Sequence, residues 1–417
     1  MINKFRNKWI IGVVLLFACL VVVQPSMAEA KEIKTKAKTA ILVDGNTGKV
    51  LYAKDADEAL PPASMTKMMT EYLVLEKIKD GEIDWEDTTE ISDYPYWISG
   101  NDDFSGVGLV QNKEYTVKSL YEAMAIYSDN GTSVALAELI AGSEGDFVKL
   151  MNEKAEEFGM TNSKFVNATG LDNETLDGRH PEGTKKDESN LMSARDAAIL
   201  AYHIVNDHPE ALEISSIAET DFDGQKIRNY NWMLKHDASF LKPFYYEGMD
   251  GLKTGNTELA GYTFTGTAER DDKRLIAVIM KTKNEEERFN ETAKILDHGF
   301  DSFEETELFP AGYQLEGEST IPVDKGKESH VEVETKGALS FPIEKDTEEN
   351  YEVAYHLDKE LLNDDGALKA PIKKGDVIGE AEIVVDEEND FGYLLEDGEK
   401  VTTELIATED VDKKNWF

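Results

Sequence analysis

The spacing of apolar residues changes repeatedly along this 417-residue chain, and the order of the changes restricts the folds open to it. Behind an apolar run at residues 9–23, "AILVD" and "KVLYA" flank the turn "GNTG" and predict a hairpin. Next, "ASMTKMMTEYLVLEKI" carries Met68, Met69, Tyr72, Leu73 and Leu75 at helical spacing. A polar loop is expected over "ISDYPYWISGNDDFSG". Helices are predicted at "TVKSLYEAMAIY", "TSVALAELIAG" and "SARDAAILAYHIV", the first two separated by "SDNG". From residue 251 the period shortens. "GYTFTGTAE" and "KRLIAVIMKT" predict antiparallel strands around "RDD", before a last helix, "RFNETAKILDHGFDSF". A strand pair, a helical block, strands and a helix imply an α+β domain whose single sheet draws strands from both ends of the segment. Beyond residue 305, short alternating runs such as "HVEVETKG" and "YEVAYHL" predict a small all-β domain.

The N-terminus has the layout of an export signal. Lys4, Arg6 and Lys8 precede the apolar run, and Ala28 and Ala30 set up a cut after residue 30. About 15 apolar residues are short of the roughly 20 that a spanning helix needs. "LFAC" weakly resembles a lipoprotein cut site, but Phe17 is bulky and "LVVV" continues past Cys19, which disfavours lipidation. Cys19 is the only cysteine, so a chain cut after residue 30 has no disulfide, no thiol catalysis and no cysteine-bound metal. The net charge of −40 becomes about −42 without the signal. Such a surface repels nucleic acid and suits self-repulsive solubility at an ion-rich cell surface. No glycine-rich dinucleotide fingerprint, zinc spacing or close histidine pair is present, so no cofactor and no metal are expected.

Three short motifs carry the chemistry. In "PPASMTKMMT", Ser64 and Lys67 are three apart and share a helix face behind two prolines. A serine hydroxyl needs an adjacent base to become a nucleophile. A lysine serves only if its amine is neutral, which burial or a second cation favours. "GLKTGNT" offers that cation as Lys253 on a predicted strand, followed by Thr254 and Gly255, where a glycine permits close backbone approach. "YSDNG" adds Ser128, a hydroxyl able to relay protons, and Asn130, able to bond an amide. Each motif alone is commonplace; S-x-x-K arises by chance about once in a chain this long. Together, in this order and on helix start, inter-helix loop and strand, they match the triple of class A β-lactamases and penicillin-binding proteins.

With "FVNATGL" and "SARDAAIL" added, the chain resembles the low-molecular-mass penicillin-binding proteins that act as serine D-alanyl-D-alanine carboxypeptidases, closest to those of Gram-positive bacilli. The resemblance implies a penicillin-recognising, β-lactamase/transpeptidase-like domain over residues 31–304 and a β-sandwich domain over 305–412. It implies a peptidoglycan stem peptide ending in D-Ala-D-Ala as substrate, with β-lactams as covalent inhibitors. By the same likeness Ser64 is the acylated nucleophile, Lys67 its base and Ser128 the proton relay. Asn130, Lys253, Thr254, Gly255 and Asn256 bind substrate. The N–H groups of Ser64 and Asn256 form the oxyanion hole, and Arg288 reads the terminal carboxylate. Arg288 in "NEEER" also reads as a surface helix arginine, and Arg195 as an ion-pair partner. Many members end in an amphipathic helix on the membrane surface. Here residues 413–417 would be at most its remnant, since Trp416 and Phe417 alone supply too little apolar area. That leaves either a truncated chain or a protein released into the wall space. Three alternatives stay open: a β-lactamase, for which Glu174 is a candidate base, a D,D-endopeptidase, and a non-catalytic wall-binding protein.

Overall fold

The computed structural model describes residues 33–345, 347–385, 391–395 and 401–414. The expected signal over residues 1–30, Cys19, Trp416 and Phe417 lie outside these residues. β1 (Thr39–Asp44) and β2 (Val50–Lys54) form the expected hairpin. A 3-10 turn over Ala63–Thr66 runs into α1 (Lys67–Lys79). Then follow β3 (Thr88–Glu90), α2 (Asp93–Ser99), β4 (Glu114–Thr116), α3 (Val117–Tyr127), α4 (Asn130–Ala141), α5 (Glu144–Glu157), α6 (Ala194–Asp207) and α7 (Glu210–Ser215). The ribbon β5 (Glu219–Phe222) and β6 (Gln225–Arg228) leads to β7 (Met249–Thr257), β8 (Gly261–Arg270), β9 (Lys273–Thr282) and α8 (Glu285–Ser302).

The central sheet has the order β2-β1-β9-β8-β7, antiparallel throughout. The N-terminal hairpin therefore completes a sheet begun more than 200 residues later, as the order of periods implies. β9 reads "KRLIAVIMKT" without alternation because both its faces are covered. Ile276 and Val278 join Ile41 and Val43 in the core shared with the helical block. Leu275 and Leu42 face α8, where Gly299 lets the helix lie close: a Cβ there would fall 2.5 Å from Leu275 Cδ1. Each such fully buried aliphatic side chain is worth about 1.5–3 kcal/mol.

Three helices, α2, α5 and the short α7, lie where the sequence did not suggest them. α2 occupies the expected polar loop, because Ile98 seals a small core with Val134 and Leu176. α5 starts at Ser143, whose side chain accepts the Asp146 N–H, and buries Phe147, Val148, Met151 and Ala155.

Beyond α8 the regular structure of the described residues is strand, apart from a 3-10 turn at Glu348–Asn350: β10 (Phe303–Phe309), β11 (Thr320–Asp324), β12 (His330–Thr335), β13 (Leu339–Glu344), β14 (Tyr351–Leu357), β15 (Leu368–Lys369), β16 (Val377–Val385) and β17 (Thr402–Ala407). They form a six-stranded sheet, β14-β16-β17-β12-β11-β15, and a β10-β13 pair. Alternate residues such as Val331 and Val333 point inward, the period-two pattern of the sequence. Leu339 and Phe309 of the pair pack on Val353 and Ala381 of the larger sheet, giving the expected sandwich.

The C-terminal region docks on the edge strand β2. Val50 donates its N–H to Gly392 O at 3.0 Å, and Leu394 donates to Gly48 O at 2.9 Å. The Lys49 ammonium lies 4.9 Å from the Tyr393 ring centroid and 5.7 Å from that of Phe341. Lys49→Ala is expected to cost about 1–2 kcal/mol of this contact. In calorimetry it should separate the melting of the C-terminal sheets from that of the first domain; one unchanged transition would show that Lys49 does not couple them.

Candidate active site

The 3-10 turn at Ala63–Thr66 and the first turn of α1 are anchored by Met65, Met68 and Met69, all fully buried. This anchoring draws Lys67 inside, where its side chain is 0% exposed. Its Nζ lies 3.1 Å from Ser64 Oγ, 2.8 Å from Asn130 Oδ1 and 2.7 Å from the Thr169 carbonyl. Asn130 is oriented by its Nδ2, which donates to Ser105 O at 2.9 Å. Burial, and then the nearby Lys253 charge, push the Lys67 amine well below its ordinary pKa, against smaller opposing effects of Asp129 and Glu71. A neutral amine has two N–H groups and one lone pair. The Asn130 Oδ1 and Thr169 carbonyl oxygens only accept, so they take the two N–H groups. The lone pair is left facing the Ser64 hydroxyl, the arrangement a general base requires.

Thr169 belongs to a loop locked by buried amides. Asn167 Oδ1 accepts the N–H groups of Thr169 and Gly170 at 3.1 and 2.7 Å. Asn190 Oδ1 accepts Val166 N–H at 2.6 Å, while its Nδ2 donates to Thr66 Oγ1 at 3.0 Å. Thr70 Oγ1 donates to Ala168 O at 3.0 Å, and Ala168 donates its N–H to Glu144 Oε1 at 2.9 Å. The loop and α1 are thus joined on both sides of Lys67.

Ser128 adopts φ 61°, a left-handed turn that ends α3 and lets α4 begin at Asn130. Its hydroxyl is buried with no hydrogen-bond partner. Asp129 is buried and accepts Val107 N–H at 2.7 Å and Ser99 Oγ–H at 2.9 Å, and also caps α4 through Thr132 N–H.

β7 is an edge strand and carries Lys253, Thr254 and Gly255, all buried, with Asn256 exposed at its end. Burial lowers the Lys253 pKa to about 8, opposed by Glu71 and assisted by Arg288. A Cβ on Gly255 would lie 2.5 Å from Pro62 O and 3.1 Å from Ser64 N, so only glycine lets this strand meet the Ser64 turn. Arg288 is buried rather than on the surface. Its NH1 donates to Gly255 O at 3.1 Å and Thr263 O at 3.3 Å, bracing the end of β7. Burial pushes its pKa down to about 10. Arg195 stays apart, paired with Asp57 at 2.7 Å. Glu174 lines an open groove of about 990 Å³ together with Phe104, Leu171, Asp172, Asn256 and Leu259.

The motifs thus meet in one place, with Ser64, Lys67 and Asn130 in direct contact and Gly255 against the Ser64 turn. Sequence reasoning passed over Asn167, Thr169, Asn190, Asp129 and Glu144. The available signal was "FVNATGL", where polar side chains interrupt apolar ones with neither helix nor strand period, the mark of a buried polar loop.

Residues 25–284 match the D-alanyl-D-alanine carboxypeptidase family, and residues 303–413 match the C-terminal domain of penicillin-binding protein 5. The chain is 32% identical to the D-alanyl-D-alanine carboxypeptidase DacF of Bacillus subtilis, over 100% of this chain and 96% of that protein. Among solved structures it is similar to a peptidoglycan synthesis regulatory factor, PBP3, from Streptococcus pneumoniae. That likeness has a TM-score of 0.71 and 34% identity, over 91% of this chain and 100% of that one. It is also similar to the ampicillin-bound penicillin-binding protein D2 of Listeria monocytogenes, with a TM-score of 0.54 and 30% identity, over 64% of this chain and 99% of that one.

Burial raises the Glu144 carboxyl from 4.5 to about 7, with Glu138 adding to the effect and the Ala168 N–H opposing it. The folded protein therefore holds this proton more tightly than the unfolded chain does. That stabilisation is complete below about pH 4.5 and is lost as pH rises through about 7. Glu144→Gln removes the titration. Its melting temperature relative to the parent should climb between pH 5 and 8, by the equivalent of at most about 3 kcal/mol. A difference independent of pH would contradict the assignment.

Proposed function

Because the chain belongs to the D-alanyl-D-alanine carboxypeptidase family of serine peptidases, we propose that it trims the terminal D-Ala from peptidoglycan stem pentapeptides through an acyl-enzyme on Ser64. The observation that carries this mechanism is the set of three contacts at Lys67 Nζ, which leave its lone pair to Ser64.

Lys67 takes the Ser64 hydroxyl proton as Oγ attacks the carbonyl carbon of the penultimate D-Ala. The oxyanion is held by the N–H groups of Ser64 and Asn256; such donors are worth about 3 kcal/mol each. Ser128, whose buried hydroxyl is uncommitted, passes a proton to the leaving D-Ala nitrogen as the C–N bond breaks. Asn130 and the 253–256 strand hold the substrate backbone. Arg288 supplies positive charge behind Gly255, on the side assigned to the terminal carboxylate. Water then attacks the ester, Lys67 again takes the proton, and Ser64 is released. β-Lactams offer a strained amide in the same position and acylate the same oxygen.

Action on peptidoglycan places the enzyme outside the cytoplasm, and the basic-apolar-small pattern of residues 1–30 is the signal proposed to take it there. Among the described residues no helix is long and apolar enough to cross a membrane. Against the β-lactamase alternative stands the third neighbour of Lys67, a backbone carbonyl. The hydrogen bonds of Lys67 Nζ go to a hydroxyl, an amide oxygen and a backbone carbonyl, and among the described residues none goes to a carboxylate of the kind class A β-lactamases use for deacylation.

A fluorescent penicillin should label the parent protein and persist for minutes, and Ser64→Ala should abolish both the label and D-Ala release. Lys67→Arg should slow labelling by about 10³-fold or more, since a guanidinium keeps its proton. A label that disappears within seconds would favour the β-lactamase, and labelling of Ser64→Ala would remove Ser64 as nucleophile.

A further inference from the structure

The amide of Asn130 has to face one way for the proposed chemistry to work. Turned end for end, it would set Nδ2 against Lys67 Nζ and take the lone pair that Ser64 needs. The group that fixes its orientation is the Ser105 carbonyl, which only accepts. It takes Asn130 Nδ2–H at 2.9 Å and the Asn130 backbone N–H at 3.0 Å. Oδ1 is thereby left to Lys67, at 2.8 Å.

Ser105 belongs to "GNDDFSGVG", residues 100–108, which has neither helix nor strand. Three glycines leave such a segment little shape of its own, and its backbone groups need partners from elsewhere. Three consecutive N–H groups find them in two side chains. Val107 donates to Asp129 Oδ2 at 2.7 Å, and Gly108 and Leu109 both donate to Ser99 Oγ at 3.1 Å. Ser99 Oγ–H in turn donates to Asp129 Oδ2 at 2.9 Å. A hydroxyl has one proton and two lone pairs, so Ser99, 3% exposed at the end of α2, spends its whole bonding capacity here. The backbone is shaped to allow it. A Cβ on Gly106 would lie 1.9 Å from Ser99 O, and one on Gly131 would lie 2.5 Å from Ser99 Cβ. Glycine at both positions lets the end of α2, the loop and the head of α4 meet.

We infer that Ser99 is a positioning residue: with Asp129 it pins the loop so that the Ser105 carbonyl holds the Asn130 amide with its oxygen on Lys67. The inference rests on Ser64 and Lys67 acting as proposed above. The bonds of Ser99 go to Asp129, Gly108 and Leu109, so its effect reaches Lys67 through Asn130. Asp129 also caps α4, and removing it would loosen a helix as well as the loop. Ser99 can be tested by deleting one oxygen.

The first arm follows acylation by a fluorescent penicillin, separating the binding constant from the rate of the covalent step. Ser99→Ala should slow the covalent step by about 10–100-fold, the usual effect of a small misplacement at a reacting centre, and leave binding unchanged. In an Asn130→Ala background the same substitution should cost nothing further, because two residues acting through one contact are not additive. Equal losses in both backgrounds would overturn the inference, as would a folded Ser99→Ala protein that acylates at the parental rate. If the alanine variant does not fold, Ser99→Cys, which keeps the shape and weakens all three bonds, should give the same pattern in smaller measure. The second arm is independent of Ser64. In ¹⁵N-labelled protein, with the Asn130 carboxamide assigned through Asn130→Ala, its bonded Nδ2 proton should exchange with water about tenfold faster in Ser99→Ala, while the backbone amides in the middle of α4 keep their protection. Equal loosening of the carboxamide and of α4 would make Ser99 a residue of stability alone and sink the inference. A parent protein that never labels would instead remove the Ser64 reading and leave the carboxamide exchange to decide.

Discussion

The structure turns on an amine kept away from water. Lys67 is the first residue of α1 and lies wholly inside the protein, where a charged ammonium would be poorly solvated. Its surroundings supply two acceptors and one hydroxyl, which suit a neutral amine. The nucleophile, the amide of Asn130, the Thr169 carbonyl and the glycine of β7 are each arranged around this one nitrogen or around the turn that carries it.

The arrangement is held by contacts between distant parts of the chain. The Ser64 turn is touched by a strand nearly 200 residues later, and Lys67 is bonded to a carbonyl 102 residues on. None of these pieces is an independent unit. The helical block sets the position of α1, the sheet sets that of β7, and the amides of Asn167 and Asn190 tie the intervening loop to α1. A buried polar network of this kind is stable only when nearly every member is satisfied. That requirement explains why so many asparagine and threonine side chains are spent under the site. Among the exceptions are the Ser128 hydroxyl, Glu71 Oε1, Glu144 Oε2 and Arg288 Nε.

Much of this is legible in the sequence, and the physical reason differs residue by residue. Ser64 and Lys67 can be read because three-residue spacing puts them on one helix face, and Lys253 because a K-T-G run follows a strand period. Both-ends sheet pairing follows from the order of periods. Thr169 is illegible for a simple reason: it contributes a backbone carbonyl, which every residue possesses, and only the loop's path brings it to Lys67. Arg288 looks like one more charge among "NEEER", because burial of the first turn of α8 depends on its angle to the sheet. Glu71 likewise sits in a helix where glutamate is ordinary. α5 could have been read from its Ser143 cap and its apolar period, whereas α2 depends on a tertiary contact of Ile98 that no local pattern announces.

The two margins of the central sheet are treated differently. At β2 the segment around Tyr393 pairs with the start of the strand, where Val50 N–H bonds Gly392 O and Leu394 N–H bonds Gly48 O. Among the described residues no strand pairs with the outer side of β7, and Asn256 near its end lines the open groove. An unfilled margin recognises main-chain amides in extended form whatever their side chains. In the proposed function, the stem peptide would pair there as a temporary sixth strand. Such pairing does not distinguish one peptide from another along its length, so discrimination has to come from what lies at the strand's C-terminal end. There the buried positive charge of Arg288 stands against Gly255, and the open acidic groove begins past Asn256.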